Sequence, residues 1–283
     1  MIDLTKCLNQ ILNIEALELT SCLPDNSIDL IICDGPYHET KHQWDQVPNI
    51  QEFNLKLIQS FSRILTSGGV LYLFGKPTCI DFIDYRPYLT LHSKIVWYQP
   101  SRLAQGRKSY TNNYDIICYF SKGTPKCFNL DDIRVPQLVE LEHRKRCENV
   151  PSVKYGSYTK TKFNDQGKNP GDVWGDIKQL TYKSKELMSR EMLNTIQKPE
   201  KLITRLLKAS SQEGSIVFDP FCGSGTVPVV CQRLGRNFIA SEINSEYVEM
   251  AKARLLEKAT SHPTEIHQKQ QQNNSITQLS LEV

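Results

Sequence analysis

What most constrains the fold is a repeated alternation of short apolar runs with amphipathic stretches. The runs Gln10 to Ile14, Ile28 to Cys33, Val70 to Phe74, Lys94 to Tyr98 and Asp115 to Phe120 read as buried strands. Between two of them, Phe53, Leu57, Ile58, Phe61 and Leu65 recur at helical spacing. The pattern weakens after Lys122 and resumes at Pro199 with a helix through Leu202, Ile203, Leu206 and Leu207. A strand from Ser215 to Asp219, a helix ending at Leu234, a strand from Asn237 to Glu242 and a helix from Ser245 to about Leu256 follow. Strands apolar on both faces need helices to cover them, so the chain is expected to be an α/β protein.

The chain has 283 residues, of which 39% are hydrophobic, enough for one large domain carrying an insertion. No apolar run approaches the ~20 residues of a membrane span, and the start Met1-Ile2-Asp3-Leu4 lacks the basic and small-residue marks of a signal peptide, so a cytoplasmic location without membrane contact is expected. Several of the nine cysteines, Cys33 and Cys118 among them, sit inside apolar runs and read as free thiols. Cys127, His143 and Cys147 lack any Cys-x-x-Cys pair, and no metal is expected. The net charge of +3 is unevenly spread: Lys122 to Arg190 holds fourteen Lys/Arg against nine Asp/Glu, a local +5. The expected organisation is residues 1–121 and 196–258 as two halves of one domain, 122–195 as an inserted region, and 259–283 as a disordered Gln/Asn-rich tail.

Two strand ends carry chemistry. Phe218-Asp219-Pro220-Phe221-Cys222-Gly223-Ser224-Gly225-Thr226 joins a strand to a helix through a glycine-rich turn, a form that lets backbone approach a nucleotide at a helix N-terminus. Glu242 ends the next strand, 23 residues beyond Asp219, near the spacing at which an acidic residue grips ribose hydroxyls. The third glycine of the dinucleotide fingerprint is missing from this turn, which argues against NAD. The other turn, Asp34-Gly35-Pro36-Tyr37, offers a carboxylate, a turn carbonyl and an aromatic ring. The amine of adenine or cytosine is a poor nucleophile because its lone pair is delocalised into the ring. Asp34 can accept one of its N–H bonds and the Gly35 carbonyl the other, with Tyr37 stacked on the base.

These motifs together resemble the β-class amino-methyltransferases of DNA, in which the catalytic motif precedes the cofactor motif. The resemblance covers residues 9 to 257. It takes in Leu23 to Ile31 leading to the catalytic turn, the Trp44-Asp45 pair, Gly68 to Tyr72, and Ile196 to Leu202. It implies a Rossmann-like methyltransferase sheet of seven strands with permuted motif order, an inserted target-recognition region and S-adenosylmethionine as cofactor. It also implies cofactor contacts from Glu15, Asp34, Lys198, Asp219, Phe221, Gly223, Ser224, Gly225, Thr226 and Glu242, with Lys198 beside the methionine portion and Glu15 beside the adenine. Two positions depart from the family: Gly35 replaces the first proline of the usual Asp-Pro-Pro-Tyr, and Glu15 stands where aspartate is commoner.

Double-stranded DNA is the expected partner. Arg144, Lys145, Arg146, Tyr155, Lys160 and Lys162 interleave cations with aromatic rings in the inserted region and are the candidate DNA contacts. Tyr110, Asn112 and Asn113 are further candidates near an extruded base. In the family an aspartate heading the catalytic turn accompanies adenine N6 more often than cytosine N4, which stays open as the alternative. A cognate restriction endonuclease is a further expected partner. A protein or RNA methyltransferase and an inactive DNA-binding relative are the competing classes. Cytosine carbon-5 chemistry is disfavoured because no cysteine follows a proline.

Overall fold

The structure, a computed structural model, describes residues 3–38, 45–100, 108, 110–137, 151–154, 157–160, 164–189 and 197–261. Its centre is a sheet of β1 (Gln10–Asn13), β2 (Ile28–Cys33), β3 (Leu65–Gly75), β4 (Thr90–Tyr98), β5 (Tyr114–Ser121), β8 (Val173–Trp174), β9 (Ile216–Asp219) and β10 (Asn237–Glu242). The spatial order is β1-β10-β9-β2-β3-β5-β4-β8. From β1 to β3 every pairing is parallel, β5 is antiparallel to both β3 and β4, and β8 pairs parallel with β4. A two-stranded antiparallel hairpin, β6 (Pro151–Lys154) with β7 (Ser157–Lys160), stands outside this sheet.

The expected seven strands are therefore eight. The additional strand is the two-residue β8, too short to show any alternation in the sequence. Its residues Val173 and Trp174 pair with Val96 and Trp97. Trp174 and Ile177 are buried in the same core as Leu202 and Leu206, and Asn129 bonds the carbonyls of Lys208 and Ser211 at 2.9 and 3.1 Å. The described parts of 122–195 thus include residues that pack into the main body.

Alternation along the strands sorts the core into two layers. Leu30 and Ile32 of β2 belong to the layer of α5 (Glu200–Ser210), α6 (Thr226–Arg233) and α7 (Ser245–Ser261), in one buried cluster with Leu206, Val230 and Ala251. Ile31 and Cys33 belong to the layer of α2 (Ala16–Cys22) and α3 (Ile50–Ile64), in a second buried cluster with Leu19, Leu57 and Phe61. The described residues also form short helices α1 (Leu4–Cys7) and α4 (Pro77–Ile80). α5 begins at Glu200 with Pro199 as its N-cap, and α7 runs on to Ser261, five residues beyond the expected end. Most of the expected tail, 262–283, lies outside the described residues.

The order of strands fixes where a ligand belongs. The chain runs outward in one direction from β9 to β10 and in the other from β2 to β3, so the switch point lies between neighbours β9 and β2. In open α/β sheets ligands bind at the carboxyl ends of the strands flanking that point. Both motifs found in the sequence sit there.

Candidate active site

Four neighbouring parallel strands end in acidic groups on one edge of the sheet: Glu15 two residues after β1, Glu242 at the end of β10, Asp219 at the end of β9, and Asp34 just after β2. A cavity of about 300 Å³ opens among them. Glu15, Asp34, Gly35, Pro36, Phe221, Gly223 and Glu242 line it, with Ile14, Ala16, Val47, Phe53, Ile243 and Tyr247 as an apolar wall. This volume stands at the lower end of small-molecule pockets, and the mixture suits a ligand with an aromatic body, hydroxyls and cationic groups.

The glycine-rich loop is held from both ends. Cys222 N–H donates to the Ser241 carbonyl at 2.9 Å, and Ser241 Oγ to the Pro220 carbonyl at 2.9 Å. Glu242 accepts from Gly223 N–H through Oε2 and from Asn244 N–H through Oε1, both at 2.9 Å, so its carboxylate is fixed at the cavity edge. Asp219 is buried beneath the loop, 3% exposed, and accepts from Phe221 N–H at 3.2 Å. Burial pushes its carboxyl well above the usual range, and the nearby charges of Asp34 and Glu242 push it further the same way, against the Phe221 hydrogen bond. Gly225 has φ +75°, and a Cβ there would stand 2.9 Å from Ala251 Cβ on α7. Ser224 and Thr226 are buried with hydroxyls 3.3 Å apart and turned to Arg254. With Gly225 they are absent from the cavity lining and support the loop from behind.

The Asp34–Tyr37 turn is clasped too. Asp45, 1% exposed, accepts from the N–H groups of Tyr37 and His38 at 2.7 and 2.8 Å, and His38 takes a left-handed φ of 57°. Asp34 Oδ1 accepts from the Tyr37 hydroxyl at 2.6 Å, and Oδ2 accepts from the Lys198 ammonium. Lys198 also lies over the rings of Tyr37 and Phe74, 5.5 and 5.6 Å from their centres. A Cβ on Gly35 would meet Phe221 Cε2 at 3.1 Å, so glycine lets the Phe221 ring close against the turn. That contact gives a physical reason for glycine where the resembled family has proline.

Lys198, Tyr37 and Asp219 are absent from the cavity lining; two touch Asp34, and the third anchors Phe221. Glu15 caps α2 through Glu18 N–H at 2.9 Å while facing the cavity. Tyr110 is fully exposed, Asn112 caps Tyr114 N–H at 3.2 Å, and the Asn113 carbonyl accepts from Gln99 N–H at 2.7 Å. All three lie in the β4–β5 connection, at the Asp34 edge of the sheet. There a buried pair, Lys76 and Asp115 at 2.8 Å, is joined by Gln99. Arg144, Lys145, Arg146, Tyr155 and Lys162 lie outside the described residues, as does the Lys160 side chain at the end of β7. No site role was legible in the sequence for Asp45, Val47, Phe53, Ile243, Tyr247 or Arg254. Asp45 was visible as part of the Trp44-Asp45 pair, and Phe53 only as a position of the helical pattern.

A mostly parallel sheet whose switch-point crevice joins a nucleotide-type loop to a carboxylate able to polarise an amine defines the Rossmann-like methyltransferases. The model of the DNA methylase family matches residues 28–253. The type II methyltransferase M.HpaI of Haemophilus parainfluenzae is 35% identical over 252 residues, covering 85% of this chain and 72% of its own. The DNA adenine methyltransferase YhdJ of Escherichia coli (strain K12) is 34% identical over 255 residues, covering 85% and 80%. Among solved structures, the M1.HpyAVI–SAM complex superposes with a TM-score of 0.57 at 21% identity over 87% of this chain and 98% of its own. The cytosine-N4-specific PvuII DNA methyltransferase gives 0.60 at 16% identity over 86% and 85%. The chain belongs to the N6/N4 DNA methylase family and is an S-adenosylmethionine-dependent DNA amino-methyltransferase of the β-class arrangement. Among the described residues no helix is long and apolar enough to cross a membrane.

Proposed function

We propose that this methyltransferase modifies adenine N6 at a specific sequence in double-stranded DNA, with Asp34, Gly35, Pro36 and Tyr37 as the catalytic turn. The observation that carries this reading is Asp34 itself, at the cavity wall with its carboxylate oriented by Tyr37 and Lys198. Each carboxylate oxygen keeps a second lone pair, so the target amine can donate to Asp34 while both orienting bonds remain. The Gly35 carbonyl is the second acceptor. Withdrawing both N–H bonds frees the nitrogen lone pair, and Tyr37 offers the ring face away from Lys198 for stacking on an extruded base. Bound S-adenosylmethionine supplies the electrophilic methyl. Glu242 would hold the ribose hydroxyls, Glu15 and the apolar wall would receive the adenine, and Lys198 would stand at the methionine end. Asp219, Ser224, Gly225 and Thr226 shape the loop that carries Phe221 and Gly223.

The aspartate at the head of the turn and the similarity to an adenine methyltransferase favour N6 over N4. Arg144, Lys145, Arg146, Tyr155, Lys160 and Lys162 supply phosphate and base contacts from the region 122–195, consistent with its local +5. Similarity to type II methyltransferases of bacteria supports a cognate restriction endonuclease as partner and a cytoplasmic location. The test is to map modified bases in the DNA of a host with and without the chain. N6-methyladenine at one recurring sequence is expected, and N4-methylcytosine there would transfer the assignment to the other base.

A further inference from the structure

Arg254 projects from α7 and its side chain is 1% exposed. One terminal nitrogen donates to the Ser224 carbonyl at 3.0 Å, to Ser224 Oγ at 3.3 Å and to Thr226 Oγ1 at 3.0 Å. The other donates to Glu200 Oε1 at 3.0 Å, while Glu200 Oε2 accepts from Arg233 at 2.7 Å. One turn earlier on α7, Ala251 presses on Gly225. Glu200 opens α5 two residues after Lys198, the group that reaches Asp34. A single guanidinium therefore ties the back of the cofactor loop to the segment that holds the catalytic carboxylate.

Stability alone is a poor explanation for this arrangement. A buried ion pair is often matched or bettered by apolar side chains of the same volume, because desolvation consumes the electrostatic gain. Here the Nε donor is also buried with no acceptor among the described residues. What only the planar guanidinium does is bond the loop and Glu200 at once in a fixed fork.

We infer that Arg254 is a positioning residue for methyl transfer, holding the glycine-rich loop and the Lys198 segment in register so that the cofactor cavity is formed before the ligand arrives. The inference rests on the reading of that cavity as the S-adenosylmethionine site. A misplaced loop reduces cofactor affinity and leaves DNA affinity alone, whereas simple destabilisation reduces the active fraction and leaves both KM values unchanged.

The test compares full-length wild type with Arg254→Met, Arg254→Lys and Glu200→Gln. The readouts are the S-adenosylmethionine Kd by calorimetry and KM for cofactor and DNA, well below each variant's melting temperature. Arg254→Met is expected to weaken cofactor binding at least tenfold with KM for DNA within twofold of wild type, and Arg254→Lys to recover part of the loss. Glu200→Gln, which keeps the side-chain size and a hydrogen-bond acceptor, is expected to weaken cofactor binding severalfold and carries the test if Arg254→Met does not fold. Wild-type cofactor affinity in Glu200→Gln or in folded Arg254→Met would overturn the inference while leaving the cavity assignment standing. Failure of wild type to bind S-adenosylmethionine would overturn that assignment first.

Discussion

Removing the Asp34 carboxylate perturbs two things that the structure allows to be separated. On the proposed reading, the target amine in Asp34→Ala loses the acceptor that localises its lone pair. Loss of one pre-organised polar group at a developing charge costs about 10²–10³ in kcat, or roughly 3–4 kcal/mol. The same change strips Lys198 of its counter-ion, with that side chain 11% exposed and Asp34 19%. Breaking one side of a fully buried pair costs about 3–5 kcal/mol, and partial exposure and the two facing rings reduce this to roughly 2 kcal/mol. For a domain of this size that is a fall of roughly 4–8 °C in Tm. Asp34→Ala/Lys198→Met removes both charges, so its Tm should return to within about 2 °C of wild type while kcat stays depressed by at least about 10². Single-turnover transfer of labelled methyl to DNA, beside thermal melts, reads both quantities. Near wild-type transfer by Asp34→Ala would refute the catalytic assignment. A double variant melting as low as the single would refute the pairing argument.

Glu242→Ala should weaken S-adenosylmethionine binding by at least tenfold in calorimetry, because it loses both the proposed ribose contact and the bond that fixes Gly223; unchanged affinity would move the site elsewhere. Asp219 gives a pH signature. Its folded-state pKa is raised, so the stability tied to its proton is full below the unfolded value of about 4 and is lost as pH rises towards the folded value, at about 1.4 kcal/mol per pH unit between the two. Asp219→Asn keeps the acceptor for Phe221 N–H and should flatten that part of the profile in the ligand-free protein, measured as Tm against pH. Equal slopes in the two proteins would contradict the burial argument.

The motifs were legible where a short apolar run met a turn. Ile28 to Cys33 pointed straight to Asp34, and Asn237 to Glu242 was bounded as observed. Contacts across the chain were not legible in the same way. Lys198 meets Asp34 from 164 residues away, and nothing local to either announces the pair. Arg254 looks like any solvated arginine of an amphipathic helix, yet the loop and α5 close over it. Asp45 sits in an irregular stretch with no periodicity to mark it as buried. Trp174 was hidden for a related reason, since a two-residue strand offers no alternation. In the sequence Gly35 showed only as a departure from the family's proline, and the position of the Phe221 ring shows what the missing Cβ makes room for.

The central claim is that the crevice between β9 and β2 holds the methyl donor with Asp34 at its reacting end. A crystal structure of the chain with S-adenosylhomocysteine tests this most directly. The expected result places the adenosine between Phe221 and the Ile14–Ile243 wall, its ribose on Glu242, and its sulfur beside Asp34 with the amino-acid end towards Lys198. A ligand bound elsewhere, or one whose sulfur lies beyond Glu15 and far from Asp34, would contradict the account.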